Sequence, residues 1–250
     1  MRSGPFFSIV IPTLNEEVFF PKLLDDLKNQ KYKNFELVIV DGQSKDNTVR
    51  EINKYKKNID INLIITSVRN SRYQRNLGVS KVKGKYVILL EADVRVTDDY
   101  LQTLFEKIQK QKNAILTTFI APDIAGFWTN IFTFIFNYLL YLALFINKPF
   151  AWGCNTIVRK DIYIKVKGYR QDLASCDDHD FTLRVCALGY KLAILRNPKI
   201  VFSYRRFRTN GYFKTLYMYL VFLVIFFRKG KILAKDVNYP MGGHLYKKHT

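Results

Sequence analysis

Carboxylates stand directly after apolar runs at several points of this 250-residue chain. Asp41 closes FELVIV, Glu91 and Asp93 follow YVILL, and Asp177, Asp178 and Asp180 crowd the start of a helical pattern continuing through Phe181, Leu183, Val185 and Leu188. Groups of this kind hold hard divalent cations through oxygen, or take and give protons. Two common phosphate cradles are excluded. No G-x-G-x-x-G occurs, and GVSKVKGK at 78–85 carries five residues between its glycines and is followed by Tyr86 where a Walker loop needs Ser or Thr. A nucleotide would then be held through a metal and carboxylates, without a glycine-rich loop.

The elements that must position these groups can be read from periodicity. The runs 6–11 and 35–40 are short, apolar and rich in β-branched residues, as buried parallel strands are. Between them, over 16–30, Val18, Phe19, Leu23, Leu24 and Leu27 recur at helical spacing, so the three pieces form a βαβ unit. A helix over 46–57, a strand over 61–66, a helix over 73–81 and a strand over 86–90 follow. Four such alternations predict a doubly wound α/β sheet, whose ligands bind beyond the carboxyl ends of the strands. Pro12, Thr13, Leu14, Asn15 and Glu16 follow the first strand, Asp41 to Ser44 the second, and Glu91, Ala92 and Asp93 the run at 86–90. Ser44 and Asp46 suit the cap of the second helix.

Composition bounds the partners. Hydrophobic residues make up 48% and aromatics 15%, which excludes a disordered chain and leaves apolar surface beyond what a core needs. Forty Lys and Arg against 21 Asp and Glu give +19, which points to nucleic acid, anionic lipid or a phosphorylated substrate. Cys154, Cys176 and Cys186 lack C-x-x-C spacing, so neither a disulfide framework nor a cysteine zinc site is expected, and a reducing, cytosol-facing location fits. The first apolar run meets Pro12 too early to serve as a secretory signal or anchor, so export is not expected.

Taken together, SIVIPTLNEE (8–17), VIVDGQSKDNT (38–48), QRNLGVSKVKGKYVILLEADV (74–94) and DDHDFTLRVCALGYK (177–191) resemble, in order and spacing, the family 2 glycosyltransferases of the GT-A fold. The membrane-associated transferases of lipid-linked sugars are the branch they are most similar to. The resemblance covers about 8–208. It implies a GT-A fold with a mixed sheet, a nucleotide-diphospho-sugar donor, and Mg²⁺ or Mn²⁺. It assigns a nucleobase contact to Asp41, for which a helix-capping role is the competing reading, with Pro12, Thr13 and Glu16 lining the same pocket. Glu91, Ala92 and Asp93 stand where the family writes Asp-x-Asp. Glu91 is one methylene longer than the family's residue, which favours Asp93 as the metal ligand. Arg75 and Asn76 are expected to face the diphosphate, and Arg69 and Arg72 are ordinary surface arginines on the simpler reading. The family's Glu-Asp-x-Asp maps the Glu onto Asp177, the general base onto Asp178, and a later Arg onto Arg184; His179 between the acids is either a pH-sensitive neighbour or, on the simpler reading, solvent-exposed. Gly153, Cys154 and Asn155, before the β-rich run IVRKDIYIKVKGY, stand at the acceptor floor, where Trp152 stacks on a sugar or packs in the core. Arg205, Arg206 and Arg208 in SYRRFRTNGYF close over the diphosphate or meet lipid phosphate.

Two apolar stretches remain. Residues 127–146 are 20 without a charge, long enough to span a bilayer. A single crossing would put Asp93 and Asp178 on opposite sides, however, and Thr129, Thr133, Asn137 and Tyr141 recur every four residues with Asn130 and Tyr138 beside them. The expectation is an in-plane or shallowly inserted helix with that polar stripe as its wet face. The 12 residues 216–227 are too short to cross, and from 204 to 250 ten Lys and Arg oppose one acid, Asp236, the composition of an anchor on an anionic leaflet. A buried core helix with a solvated tail is the plainer alternative.

The expected organisation is a catalytic domain over 1–203, with a nucleotide-sugar half at 1–98 and an acceptor half at 99–203, and a membrane-associating segment at 204–250. The expected activity is inverting transfer of a sugar to a lipid-linked, glycan or other membrane-proximal acceptor at the cytoplasmic membrane face, the protein being peripheral or anchored in-plane. A nucleotidyltransferase would leave the DDHDF cluster unexplained. A non-catalytic basic binding protein would leave the ordered carboxylates unexplained, and no nucleic-acid partner is expected because the charge excess gathers beside apolar segments.

Overall fold

The computed structural model describes residues 4–233. Lys235, Asp236, Lys247 and Lys248 of the expected basic tail lie outside them. The chain runs β1 (Phe7–Thr13), α1 (Phe20–Lys28), β2 (Phe35–Asp41), α2 (Thr48–Tyr55), β3 (Ile61–Ile65), α3 (Ser71–Val79), β4 (Tyr86–Leu90), β5 (Arg95–Val96), α4 (Tyr100–Gln111), β6 (Ile115–Pro122), α5 (Phe127–Phe145), β7 (Asn155–Arg159), α6 (Lys160–Lys165), β8 (Leu173–Ser175), α7 (Asp177–Ala187), β9 (Leu192–Phe202), α8 (Arg205–Asn210), α9 (Tyr212–Lys229) and β10 (Ile232–Leu233).

Eight strands form one mixed sheet in the order β3-β2-β1-β4-β7-β6-β9-β5. The first four are parallel, with Phe7 opposite both Phe35 and Tyr86, as the βαβ pattern predicts. Antiparallel β7 then sets Asn155 against Leu90, which brings the loop before β7 to the carboxyl end of β4. Alternate residues of each parallel strand serve opposite faces. Ile9, Ile39 and Ile88 pack with α1 and α4 on one side, and Val10, Val38 and Val87 with α3, α6 and α7 on the other. Both faces of this α/β sheet are therefore covered. Tyr204 and Phe207 belong to the first of these cores, so the chain just past residue 203 packs as part of the main body.

Three expectations shift. α1 starts at Phe20, four residues later than its periodicity suggested, because the backbone amides of Asn15, Glu16 and Glu17 are taken by Ser44, Thr48 and Asp46 instead of entering a helix. α3 starts two residues early, where Asn70 accepts from the amides of Arg72 and Tyr73 as its cap. The run expected to be β-rich after Asn155 is a strand only to Arg159. It turns into α6, which buries Ile162 and Tyr163 and leaves Ile164 outside.

The largest correction concerns α5. Thr129, Thr133 and Asn137 of its polar stripe face inward, while Asn130 and Tyr138 beside them are exposed. Thr129 bonds the carbonyls of Ile124 and Gly126, Thr133 bonds the Tyr204 hydroxyl at 2.8 Å, and Asn137 both donates to and accepts from the backbone of Ile120 in β6. Apolar side chains point away from the body instead, Phe127 and Phe145 being 73% and 84% exposed, with Phe134, Ile135 and Leu142 exposed between them. α9 repeats the pattern: Phe222 and Phe226 turn inward, while Phe213, Tyr217, Leu220 and Val224 form an exposed stripe. Trp128 and Phe213, 5.4 Å apart edge to face, join the two helices.

Candidate active site

Arg75 sits at the centre. Glycine at 78, one turn further along α3, lets the helix lie directly on β1, for a Cβ there would come within 2.4 Å of Val10. That approach carries Arg75 under the strand ends. Its guanidinium, 4% exposed, donates to the Gly153 carbonyl at 2.8 Å and pairs with Asp177 at 3.3 Å and Glu91 at 3.5 Å, its plane lying over the Tyr169 ring. One buried cation thus gathers the end of β4, the loop before β7 and the start of α7. Burial works against its charge, and the surrounding acids outweigh burial, so the guanidinium stays firmly protonated. Arg75 therefore braces the acids from beneath rather than facing outward to a diphosphate. Asn76 points elsewhere: its side chain donates to the Tyr169 carbonyl and accepts from the Tyr169 amide and the Tyr163 hydroxyl, so it locks the loop after α6. Arg72 is no surface arginine either, pairing with Asp177 at 3.7 Å and reaching the Ala174 carbonyl. Arg69 holds the carbonyls of Gly42 and Gln43.

Two of the clustered aspartates differ in their surroundings. Asp177 is held by Arg75 and Arg72, and its carboxyl is raised above the ordinary range because burial and Asp178 outweigh them. For Asp178, burial pushes upward but is outweighed by the hydrogen bond and charge of His179 and by Arg75, so its carboxyl lies below the usual range and is ionised at neutral pH. It accepts from the Gly153 amide at 3.1 Å and stays partly open to solvent. Asp180 turns away to Arg184, which also donates to the carbonyls of Val166 and Gly168. His179 is not solvent-exposed. Its ring stacks on Phe150.

A second group lies around α8. Arg205 forms a paired contact with Glu16 at 2.7 and 2.9 Å, reaches Asp93 at 3.1 Å, and stacks over Phe19. Burial, with Asp93 and Glu91 nearby, raises the Glu16 carboxyl to about 7 against the pull of Arg205. Burial likewise raises Glu91, reinforced by Asp93 and opposed by Arg75, Arg206 and Arg205. Arg206 donates to the Tyr219 hydroxyl at 3.3 Å, and Arg208 pairs with Asp123, so the latter is anchored to the body rather than reaching for a ligand. Ala92 packs its methyl in the core, and Trp152 packs edge-on to Phe150 and Phe136, the packing alternative for that residue.

Asp41 is fully buried. It accepts from the Thr13 hydroxyl at 3.0 Å and from the amide and hydroxyl of Ser44, so it shapes the β2–α2 loop beside Pro12 and Thr13. Asp46 bonds the amide and hydroxyl of Thr48 at the first turn of α2, as expected of a cap.

The donor set can be tested for a divalent ion. Among the described residues no group of three His, Cys, Asp or Glu could hold one unaided. Glu91 and Asp93 offer hard oxygens at one strand end, and Mg²⁺ or Mn²⁺ ordinarily takes one or two carboxylates and completes its shell with substrate phosphates and water. The residues fit an ion that arrives with a diphosphate.

Sequence reasoning missed the pairing of Arg205 with Glu16 and Asp93, the platform of Tyr169 beneath Arg75, and Gly153 as bonding partner of both Arg75 and Asp178. These contacts join positions far apart in the chain, and no local spacing signals them.

The profile described as glycosyl transferase family 2 matches residues 8–167. A dolichyl N-acetyl-alpha-D-glucosaminyl phosphate 3-beta-D-2,3-diacetamido-2,3-dideoxy-beta-D-glucuronosyltransferase of Methanococcus voltae is 29% identical over 221 residues, 80% of this chain and 66% of that protein. The solved structure of S. aureus TarS 1-349 with UDP-GlcNAc superposes with a TM-score of 0.63 at 18% identity, covering 79% of this chain and 58% of that one. The mannosyltransferase PcManGT of Pyrobaculum calidifontis, solved with GDP-Man and Mn²⁺, gives 0.66 at 17% identity, covering 80% and 57%. The fold is thus that of the GT-A enzymes. The chain spans about two thirds or less of the length of these relatives.

Proposed function

We propose that this chain, which belongs to glycosyl transferase family 2, is an inverting glycosyltransferase that moves a sugar from a nucleoside-diphosphate donor to a lipid-linked or other membrane-proximal acceptor. One observation carries the reading: Arg75 ties Glu91 to Asp177, so two acidic motifs some 90 residues apart in the chain face one site. Asp178, ionised and partly open, is the general base that takes the proton of the acceptor hydroxyl. The acceptor oxygen then attacks the anomeric carbon in line as the bond to the nucleoside diphosphate breaks, which inverts the configuration in one displacement. Arg75 and Asp177 hold the base-bearing end of α7, and Arg205 is the cation placed to meet the diphosphate at Asp93. Asp93 and Glu91 would hold a Mg²⁺ or Mn²⁺ ion, which when bound supplies positive charge to the departing diphosphate. Asp41, Pro12 and Thr13 form the base pocket.

The relatives support the donor and acceptor classes: one bears a dolichyl N-acetyl-alpha-D-glucosaminyl phosphate in its name, and others are solved with UDP-GlcNAc or with GDP-Man and Mn²⁺. The exposed apolar faces of α5 and α9, flanked by Lys214, Arg228, Lys229 and Lys231, support peripheral seating on the anionic, cytoplasmic face of a membrane. α5 is long and apolar enough to cross a bilayer. Its Asn137 and Thr133 are bonded to the body, however, which favours an in-plane position.

The test is titration of the purified chain with UDP, GDP and other nucleoside diphosphates, with and without Mn²⁺, beside Asp93→Ala, followed by turnover of Asp178→Asn. Metal-dependent binding of one nucleotide, lost in Asp93→Ala, and turnover reduced about 100-fold or more in Asp178→Asn are the expected results. Folded protein that binds no diphosphate would refute the reading.

A further inference from the structure

His179 has no part in the reaction as described, yet it is the side chain that links the base to the periphery. The Asp178 carboxylate is tethered at both oxygens. Oδ2 accepts from the Gly153 amide at 3.1 Å, and Gly153 is fixed in turn by Arg75 through its carbonyl. Oδ1 lies 3.5 Å from His179 Nδ1, the outer limit of a hydrogen bond. The first tether is rigid, because it belongs to the buried knot of charges.

The second tether depends on packing alone. The His179 ring stacks on Phe150 with centroids 4.3 Å apart and planes 14° from parallel, and Phe226 covers it at 5.7 Å and 59°. Its Nε2 is buried without a partner among the described residues, so nothing polar holds the far side of the ring. In a neutral imidazole the proton goes where an acceptor waits, and the carboxylate beside Nδ1 is that acceptor.

Phe226 belongs to α9, whose inner face lies on Ala174, Cys176 and Ile232 and whose outer face carries the exposed Phe213, Tyr217, Leu220 and Val224. The same helix therefore presents apolar side chains outward and clamps His179 inward. Phe226 thus packs on the ring that lies beside the carboxylate.

We propose that His179 is a positioning residue for Asp178 and that α9, through Phe226, holds its ring in place. This rests on the reading of Asp178 as the base and adds the residue that orients it.

The chain has three histidines, the others being His244 and His249, so imidazole ¹⁵N spectra of the full chain are easily assigned with His179→Asn. At a pH above the imidazole range, His179 should carry its proton on Nδ1. Asp178→Asn should move the proton toward Nε2, and Phe226→Ala should give an averaged signal. Turnover of the sugar nucleotide selected by titration should fall about 10- to 100-fold in kcat for His179→Phe, which keeps the stacked ring but no donor, with donor KM unchanged. His179→Asn, whose amide nitrogen replaces Nδ1, should recover part of the loss. A proton on Nε2 in the unaltered protein, a spectrum insensitive to Phe226→Ala, or full kcat in His179→Phe would each overturn the inference. Full turnover in Asp178→Asn would instead overturn the assignment of the base, and the spectra are read independently of it.

Discussion

The centre of the molecule and its α5–α9 flank invert the usual arrangement of a globular protein in opposite ways. Around Arg75 the interior is charged: the guanidinium is 4% exposed, Asp177 and Asp178 are open to solvent only in part, and Glu91 is half-exposed at the strand end. Along α5 and α9 the exterior is apolar, while Thr129, Thr133 and Asn137 are spent inside. Neither arrangement is what folding alone favours: buried charge is costly to desolvate, and large exposed apolar patches are rare on monomers. Each makes physical sense with the partner proposed for it, a cation and diphosphate for the first and a lipid surface for the second. The comparison teaches that the two halves of the proposed reaction, donor binding and access to a membrane-borne acceptor, are written in opposite chemical languages on one body.

The sharpest way to break it is Arg75→Met. Removing the cation takes from the mostly buried Asp177 its nearer partner and leaves it only Arg72 at 3.7 Å, so stability should fall by about 3 kcal/mol, the low end for a broken buried pair, measured by chemical denaturation. An unchanged midpoint would mean that the knot is ordinary solvated polarity. Asn137→Leu probes the other region from inside. It leaves the amide and carbonyl of Ile120 unpaired, so a loss of about 1–3 kcal/mol is expected in the same measurement.

Phe134→Ser with Phe145→Ser probes that region from outside. Both rings are exposed, so folding stability should change by no more than about 0.5 kcal/mol. Sedimentation with vesicles of anionic phospholipid should nevertheless fall several-fold. A stability loss larger than the binding loss would assign these rings to packing.

The last effect is a slope in pH. Glu16 is raised to about 7 in the folded protein from 4.5, so the folded state binds the extra proton between those values. Its contribution to stability is therefore fully present below about pH 4.5 and is lost as pH rises through about 7. Glu16→Gln should remove that downward slope from a series of denaturation midpoints. A slope that persists would point to Glu91 or Asp177, which are raised in the same sense.

The sequence alone determined the alternation of β1 to β4 with their helices, because a buried parallel strand must be continuously apolar and an amphipathic helix must repeat every three to four residues. It also marked where the acids stand, since a carboxylate that ends an apolar strand is visible in one dimension. What it left open was direction and partnership. The stripe of Thr129, Thr133 and Asn137 has the same period whether it meets water or protein, and only the proximity of Ile120 and Tyr204 decided that it faces inward. Arg75 and Asn76 are neighbours in the chain, yet about 100° apart on a helix they serve different sites, one under the acids and the other on Tyr169. Arg205 meets Glu16 across 189 positions. Local sequence carries periodicity because backbone geometry imposes it on neighbours, while the pairing of distant charges is decided only when the sheet closes and a desolvated carboxylate must find its cation.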